Sequence, residues 1–259
     1  MSKYNWSQHV FDAINWEAHG AALKKVIKRR IHSIKLIFDI LPTNSQANRY
    51  DKGTRKCPTC ANEHKTRDHI LRCCHPDAQT WRDDLKRDLT EFYRRTKTEP
   101  ELARLMTLAL DQWFAADAQD IQVDPMQFSD ALCNLIIEQN VIGWRQLFSG
   151  RFSKEWSVVQ QAQYNRLPRQ EGQRKRTGNQ WQSLLIVVLW KGWDKRWIAR
   201  NKAEHGYTAE TRRRAIRREV HRQLNQIYQK RHMMEPRVQE LLFDSPEEHQ
   251  QQQLHVTRN

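Results

Sequence analysis

CPTCANEHKTRDHILRCCH, residues 57–75, is the stretch that decides the fold, because it holds four of the five cysteines in the chain. Cys57 and Cys60 are separated by two residues, a spacing that lets both thiolates of a tight knuckle bind one ion. His69 and Cys73 stand at i and i+4 and share one face of a helix. The spacing predicts one structural Zn²⁺ ion on these four residues, because four protein ligands leave no coordination position for water.

The fourth ligand has alternatives. Cys74 follows His69 with four intervening residues, and His64 or His75 could substitute in a reshaped loop. Cys73 is preferred for its helical spacing. The cysteines could instead be reduced core residues, but the charged residues around them offer little core to pack into.

Helical patterns flank the cysteines on both sides. Residues 6–41 carry apolar positions at steps of three and four, among them Leu23, Val26 and Ile37, which predicts one amphipathic helix that stops at Pro42. A second helix is predicted from Pro76, with one apolar face made of Trp81, Leu85, Leu89 and Phe92. The predicted fold is therefore mostly α, with a small zinc knuckle inserted between the N-terminal helices of a module at residues 1–98.

The remaining chain divides by composition. A helical middle region is predicted at 99–165, with helices over 102–114 and 126–148, followed by a basic linker at 166–180. Trp-rich and Arg-rich helices are predicted at 181–245, and a disordered tail at 246–259. Two faces in this part are expected to point inward, as core, and their residues are Trp190, Trp193, Trp197, Ile216, Val220, Leu224 and Ile227.

Composition narrows the class of protein. The longest apolar run, residues 184–190, has seven residues, whereas a bilayer-spanning helix needs about 20, so no membrane partner is expected. The first residues lack the apolar segment of a secretion signal, and clustered cysteines suggest metal in a reducing compartment. We expect an intracellular protein, nuclear or cytoplasmic and not secreted.

The net charge of +14 favours a polyanionic partner such as nucleic acid, RNA or DNA. Residues 151–235 carry 20 Lys and Arg against 7 Asp and Glu, so nearly all of the excess lies there. A solvated helix face is the alternative explanation. The candidate nucleic-acid-binding residues are Arg174, Lys175, Arg176, Arg212, Arg213, Arg214, Arg217, Arg218 and Arg222.

The residues CPTC at 57–60, RDHILRC at 67–73 and the following Trp81 resemble the reverse-transcriptase zinc-binding domain of non-LTR retrotransposon polyproteins. NWEAHG at 15–20 and LPTN at 41–44 look like retroelement-derived proteins that carry this domain, and the Trp-rich segment 189–206 is similar to one that trails it. Many members place four residues between the His and the last Cys, which keeps Cys73 and Cys74 both open. The resemblance implies a fragment or remnant of such a polyprotein, whose zinc module helps to hold RNA template or target DNA.

No enzymatic activity and no small-molecule substrate are expected. The Tyr-x-Asp-Asp string of the family's polymerase is absent, and no Gly-rich phosphate loop or nucleophile elbow occurs. Asp77, Asp84 and Lys86 mimic a metal-dependent endonuclease, a minor alternative, but they fall in a predicted helix where such sites need strands. The leading hypothesis is a zinc-stabilised nucleic-acid-binding module. The alternative is a zinc-stapled interaction module that docks onto an upstream reverse-transcriptase domain or another protein.

Overall fold

The computed structural model describes residues 6–26, 30–38, 40, 57, 59–60, 66–116, 120–168, 176–205, 209–239 and 242. Helices make up most of these residues, so the predicted mostly-α fold class is confirmed. No β-strand occurs in the described ranges, where the extended pairing is a single antiparallel bridge between Ile14 and Ser153.

The α-helices are α1 (Gln8–Ala13), α2 (Trp16–Lys25), α3 (Arg30–Ile37), α4 (Arg67–Arg72), α5 (Pro76–Thr96), α6 (Pro100–Ala115), α7 (Asp130–Ile142), α8 (Glu155–Arg166), α9 (Gly178–His205), α10 (Ala209–Gln229) and α11 (Pro236–Gln239). Short 3₁₀ helices cover Pro125–Gln127, Trp144–Ser149 and Arg231–Met233.

The single helix predicted for residues 6–41 is wrong, because the chain forms α1, α2 and α3 there. Ile14 is extended (φ −70°, ψ 136°) and pairs with Ser153, which ends α1. Asn15 then starts α2 by accepting a hydrogen bond from the Ala18 amide at 3.0 Å. Its amide nitrogen also donates to Gln182 at 2.7 Å, so a residue remote in sequence fixes this break. The predicted stop at Pro42 lies outside the described residues.

The helix predicted after the cysteines is confirmed as α5. His75 caps its start, Pro76 occupies the first turn, and Lys97 closes it in the left-handed conformation at φ 52°. The predicted apolar face is buried, with Trp81 and Leu85 among its members.

The helix predicted over 126–148 is interrupted at Gly143. Gly143 has φ 99°, and a Cβ atom there would lie 2.5 Å from the Asp120 carboxylate, so the position requires glycine. The chain therefore ends α7 at Ile142 and continues as a 3₁₀ helix from Trp144. Cys133 lies in α7, half-buried, with its thiol directed at the Ser129 carbonyl.

Tryptophans form much of the core, as predicted for Trp190, Trp193 and Trp197, which are all buried. Some of the buried indole N–H groups have acceptors inside the protein: Trp181 donates to Thr98 at 2.8 Å and Trp190 to the Phe148 carbonyl at 3.1 Å. Trp193 Nε1 is buried without a hydrogen-bond partner among the described residues. Because these rings are buried, they are core residues and are not available as a platform for stacking bases.

The helix α9 packs closely on α5. Trp81 donates to the Gly192 carbonyl at 2.7 Å, and a Cβ atom at Gly192 would lie 2.7 Å from Leu85. The glycine thus permits an approach that carries α9 to the region of the cysteines.

Contacts divide the chain into two units, residues 1–198 and 199–259, which differs from the predicted division at the basic linker. Residues 169–175 of that linker lie outside the described part, whereas 178–180 are already the first turn of α9. The predicted module at 1–98 and the middle region at 99–165 fall in one unit because they share a core. The predicted tail at 246–259 lies outside the described residues.

The inward orientation predicted for the apolar face of α10 is wrong. Ile216 is 56% exposed, Val220 41% and Ile227 40%, and Leu224 is half-buried. The described part of the second unit contains little besides α10, the turn at Arg231–Met233 and α11, so it offers too little apolar surface to cover this face.

Candidate metal centre

Two of the candidate ligands lie on a short helix that the local sequence specifies. Thr66 caps α4 by accepting a hydrogen bond from the His69 amide at 3.1 Å. His69 lies on α4, and Cys73 is the residue that follows the last helical residue, Arg72. The two side chains point to the same place, as the prediction expects, although Cys73 lies just beyond the helix and not within it.

Cys57 and Cys60 complete a cluster with these two residues. Cys60 Sγ lies 3.3 Å from His69 Nε2, and Cys57 Sγ lies 4.0 Å from Cys73 Sγ. All four ligand atoms lie within 4.8 Å of one another, and three of the four residues are buried. Four converging sulfur and nitrogen atoms at this separation could hold a metal ion.

The alternative ligands lie elsewhere. Cys74 is exposed and is not part of the four-residue cluster. His75 caps α5, where its Nδ1 accepts a hydrogen bond from the Asp77 amide at 3.3 Å. His64 lies outside the described residues.

Thr59, which sequence reasoning missed, contacts both buried cysteines. Its hydroxyl lies 3.1 Å from Cys57 Sγ and 3.5 Å from Cys73 Sγ. Its place between two cysteines of a knuckle is a signal that could have identified it. Hydroxyl and amide donors around ligand sulfurs stabilise the thiolate form, which is the form that binds metal.

The pKa values of the two cysteines agree with this arrangement. Burial raises the pKa of the Cys73 thiol, but hydrogen bonds involving His69, the His75 backbone and Thr59 outweigh it and lower the pKa to about 5. Burial also raises the pKa of Cys57, and hydrogen bonds from Thr59 and the Cys60 backbone lower it below its usual value. The centre therefore favours charged sulfur ligands.

Two arginines that the sequence did not single out lie beside the cluster. Arg82, on α5, donates from Nη1 to the carbonyls of Leu71 at 3.1 Å and Cys73 at 3.2 Å. Arg196, on α9, is buried and donates from Nε to the Ile70 carbonyl at 2.9 Å. No local pattern could have identified Arg196, because 126 residues separate it from its partner.

The three residues of the nuclease-like pattern take part in contacts at the surface. Asp84 pairs with Arg87, Lys86 pairs with Asp111, and Asp77 lies near His75. Among the described residues, neither Asp77 nor Asp84 belongs to a group of side chains that could hold a metal ion.

Most of the predicted nucleic-acid-binding residues lie on α10 and are exposed. Arg214 pairs with Glu210, and Arg222 pairs with Glu219. Arg213, Arg217 and Arg218 are exposed, and none of the described carboxylates lies within 4.0 Å of them. The other four candidates differ: the backbone of Arg212 lies on α10, Arg176 is exposed just before α9, and Arg174 and Lys175 lie outside the described residues.

None of the described helices combines the length and apolarity that crossing a bilayer requires. The chain matches no protein-family model, no curated protein and no solved structure. The resemblance to reverse-transcriptase zinc-binding domains therefore stays a prediction from the motif and its neighbours.

Proposed function

We propose that this protein is a zinc-stabilised module that binds nucleic acid, RNA or DNA, through the arginines of α10. In this proposal it acts by binding and not by catalysis, and it derives from the C-terminal region of a non-LTR retrotransposon polyprotein. The observation that carries the proposal is the exposed arginine surface of α10.

The choice of zinc follows from the ligand set. Three thiolates and one imidazole suit Zn²⁺ better than Mg²⁺ or Ca²⁺, which prefer oxygen ligands. Around a tetrahedral zinc ion, with bonds of about 2.3 Å to sulfur and about 2.0 Å to nitrogen, ligand atoms lie roughly 3.5–3.8 Å apart. The separations of 3.3 and 4.0 Å at the cluster lie on either side of that range, so small side-chain shifts would fit the ion.

The arginines of α10 form rows at helical spacing. Arg213 and Arg217 stand at i and i+4, as do Arg214, Arg218 and Arg222. Six arginines oppose two glutamates in the 21 residues of this helix. A helix of that length extends about 31 Å, which is long enough to contact several successive phosphates. The planar guanidinium fork suits phosphate oxygens. For Arg213, Arg217 and Arg218, no ion pair with a described carboxylate has to be broken first.

The test compares nucleic-acid affinity across a salt series for the wild type and the triple variant R213Q/R217Q/R218Q. Labelled duplex DNA and single-stranded RNA are the probes. Log affinity decreases with log salt, and we expect this slope to become shallower in the variant. Its magnitude should fall by about 0.9 per lost phosphate contact on duplex and about 0.7 on a single strand. Each lost contact should also weaken binding at fixed salt.

A matched variant, R87Q/R94Q/R95Q, removes the same number of positive charges from the exposed surface of α5. It should change the salt slope much less, because Arg87 and Arg94 already pair with Asp84 and Glu91. Equal effects of the two triple variants would contradict the assignment to α10. Binding that is absent or independent of salt would refute nucleic acid as the partner.

A second candidate function has its own observation in the exposed apolar face of α10. Ile216, Val220 and Ile227 share one side of the helix and are 40–56% exposed. Such a face favours an interaction module that docks onto a reverse-transcriptase domain or another protein. Three results together would favour this candidate. The full chain would bind a reverse-transcriptase domain tightly, the triple variant I216Q/V220Q/I227Q would lose that binding, and the wild-type chain would show no affinity for nucleic acid.

A further inference from the structure

The six-residue helix α4, which carries His69, has its C-terminal carbonyls held by side chains from other helices. Arg196 of α9 donates a hydrogen bond to the Ile70 carbonyl at 2.9 Å. Arg82 of α5 donates hydrogen bonds to the Leu71 and Cys73 carbonyls at 3.1 and 3.2 Å. A helix this short is not stable by itself, and its last carbonyls need partners from elsewhere. The direction in which His69 and Cys73 point therefore depends on the two guanidinium groups.

The two arginines also place positive charge beside the sulfur ligands. Burial lowers the pKa of Arg196, whereas the neighbouring charges of Cys73 and Cys57 raise it. Burial likewise lowers the pKa of Arg82, which the charge of Arg196 lowers further and that of Cys73 raises. Three thiolates around a divalent ion leave an excess of negative charge, so neighbouring cations stabilise the occupied centre.

We propose that Arg196 is a positioning residue of the metal centre, through which α9 sets the affinity of the four ligands for the ion. Its hydrogen bond fixes the carbonyl next to His69, and its charge offsets that of the thiolates. The inference rests on the proposed zinc site and extends it, because it makes α9 part of the metal-binding machinery.

General packing of α9 against α5 would explain the contact without any role in metal binding. Trp81 separates the two explanations, because its indole also joins α5 to α9, by a 2.7 Å hydrogen bond to the Gly192 carbonyl, but carries no charge. Lys195 supplies the second control. It is adjacent to Arg196 and positively charged, and it is exposed, where it pairs with Asp88.

The experiment measures zinc affinity of the full chain by competition with a chromophoric chelator, for the wild type, R196M, R196K, K195M and W81F. Circular dichroism confirms that each variant is folded at the temperature used. Loss of an outer partner of a metal ligand typically weakens metal binding about 10–100-fold, and we expect R196M to fall in this range. R196K should recover part of the loss because it keeps the charge. K195M should bind zinc within about twofold of the wild type, and W81F should do so even if its unfolding temperature falls.

Wild-type affinity in R196M would overturn the inference and leave the zinc site intact. Equal weakening by W81F and R196M would also overturn it, because packing alone would then account for the effect. A wild-type chain that binds no zinc would refute the metal centre itself, and the inference with it.

Discussion

The candidate metal centre and the arginine helix α10 are built in opposite ways. At the centre, Cys57, His69 and Arg196 come from separate parts of the chain and are largely buried, and each has a partner. On α10 the arginines come from one continuous helix and are exposed, and several have no carboxylate partner among the described residues. A site that depends on long-range contacts is part of the fold, whereas a surface supplied by one helix can change without disturbing it. The centre should therefore govern stability, and α10 should govern binding.

The largest expected effect is the loss of a metal ligand. Cys57→Ser and Cys73→Ser, made separately, should each release the metal and lower the free energy of unfolding by more than about 3 kcal/mol, because structural zinc contributes on the order of 10 kcal/mol of binding free energy to the folded state. Metal content per chain by mass spectrometry, together with thermal melts followed by circular dichroism, checks this.

Cys74→Ser is the matched control, because Cys74 is adjacent to Cys73 but exposed. It should keep one zinc per chain and the melting temperature of the wild type. The opposite pattern, with zinc lost in Cys74→Ser and kept in Cys73→Ser, would reassign the fourth ligand. If the Cys57 and Cys73 variants lost zinc without any loss of stability, the expectation that the centre governs stability would be contradicted.

A pair of alanine substitutions tests the same contrast at apolar positions. Leu185→Ala removes a fully buried side chain from the core of the first unit and should cost about 2–5 kcal/mol. Ile216→Ala truncates a side chain that is 56% exposed on α10 and should change stability by less than about 0.5 kcal/mol. Urea unfolding measures both. A cost above about 2 kcal/mol for Ile216→Ala would mean that this face is covered in solution and would favour the interaction candidate.

The sequence was informative where the determining contacts are local. The start of α5 at Pro76 and its buried face follow from a proline and a periodic pattern, and the clustering of His69 and Cys73 follows from helical spacing. The break between α1 and α2 could not be predicted, because Ile14 leaves the helix to pair with Ser153. The burial of Arg196 depends on a carbonyl 126 residues away.

The apolar face of α10 shows what a sequence pattern leaves undetermined. Its periodicity correctly indicates a helix with one apolar side, yet periodicity alone does not specify what that side contacts. Ile216 and Val220 are exposed because the described part of the second unit is too small to enclose them.

The smallest expected effect concerns His19, a buried histidine remote from α10 in sequence. Burial lowers its pKa; the hydrogen bond with the Gly150 carbonyl opposes this, and the charge of Arg151 adds to it. Because the pKa in the folded state lies below the unfolded value of about 6.5, the contribution to stability is complete above that pH and is lost as the pH falls through the folded-state pKa. One pH unit between the two values corresponds to about 1.4 kcal/mol.

The free energy of unfolding of the wild type should therefore decrease relative to that of His19→Gln as the pH falls below the unfolded value of about 6.5. Both proteins have the same candidate metal ligands. The difference between their free energies of unfolding therefore excludes the acid sensitivity of those ligands. His9→Gln, at an exposed position, should follow the wild type. If the free energies of unfolding of the wild type and His19→Gln changed in parallel with pH, the lowered pKa of His19 would be contradicted.

All ten tryptophans of the chain precede residue 199 and thus belong to the first unit. The fluorescence excited in these rings therefore reports on the first unit alone, while circular dichroism also records α10. Comparing the two signals during denaturation distinguishes unfolding of the core that carries the Cys/His cluster from melting of the arginine helix, without any added label.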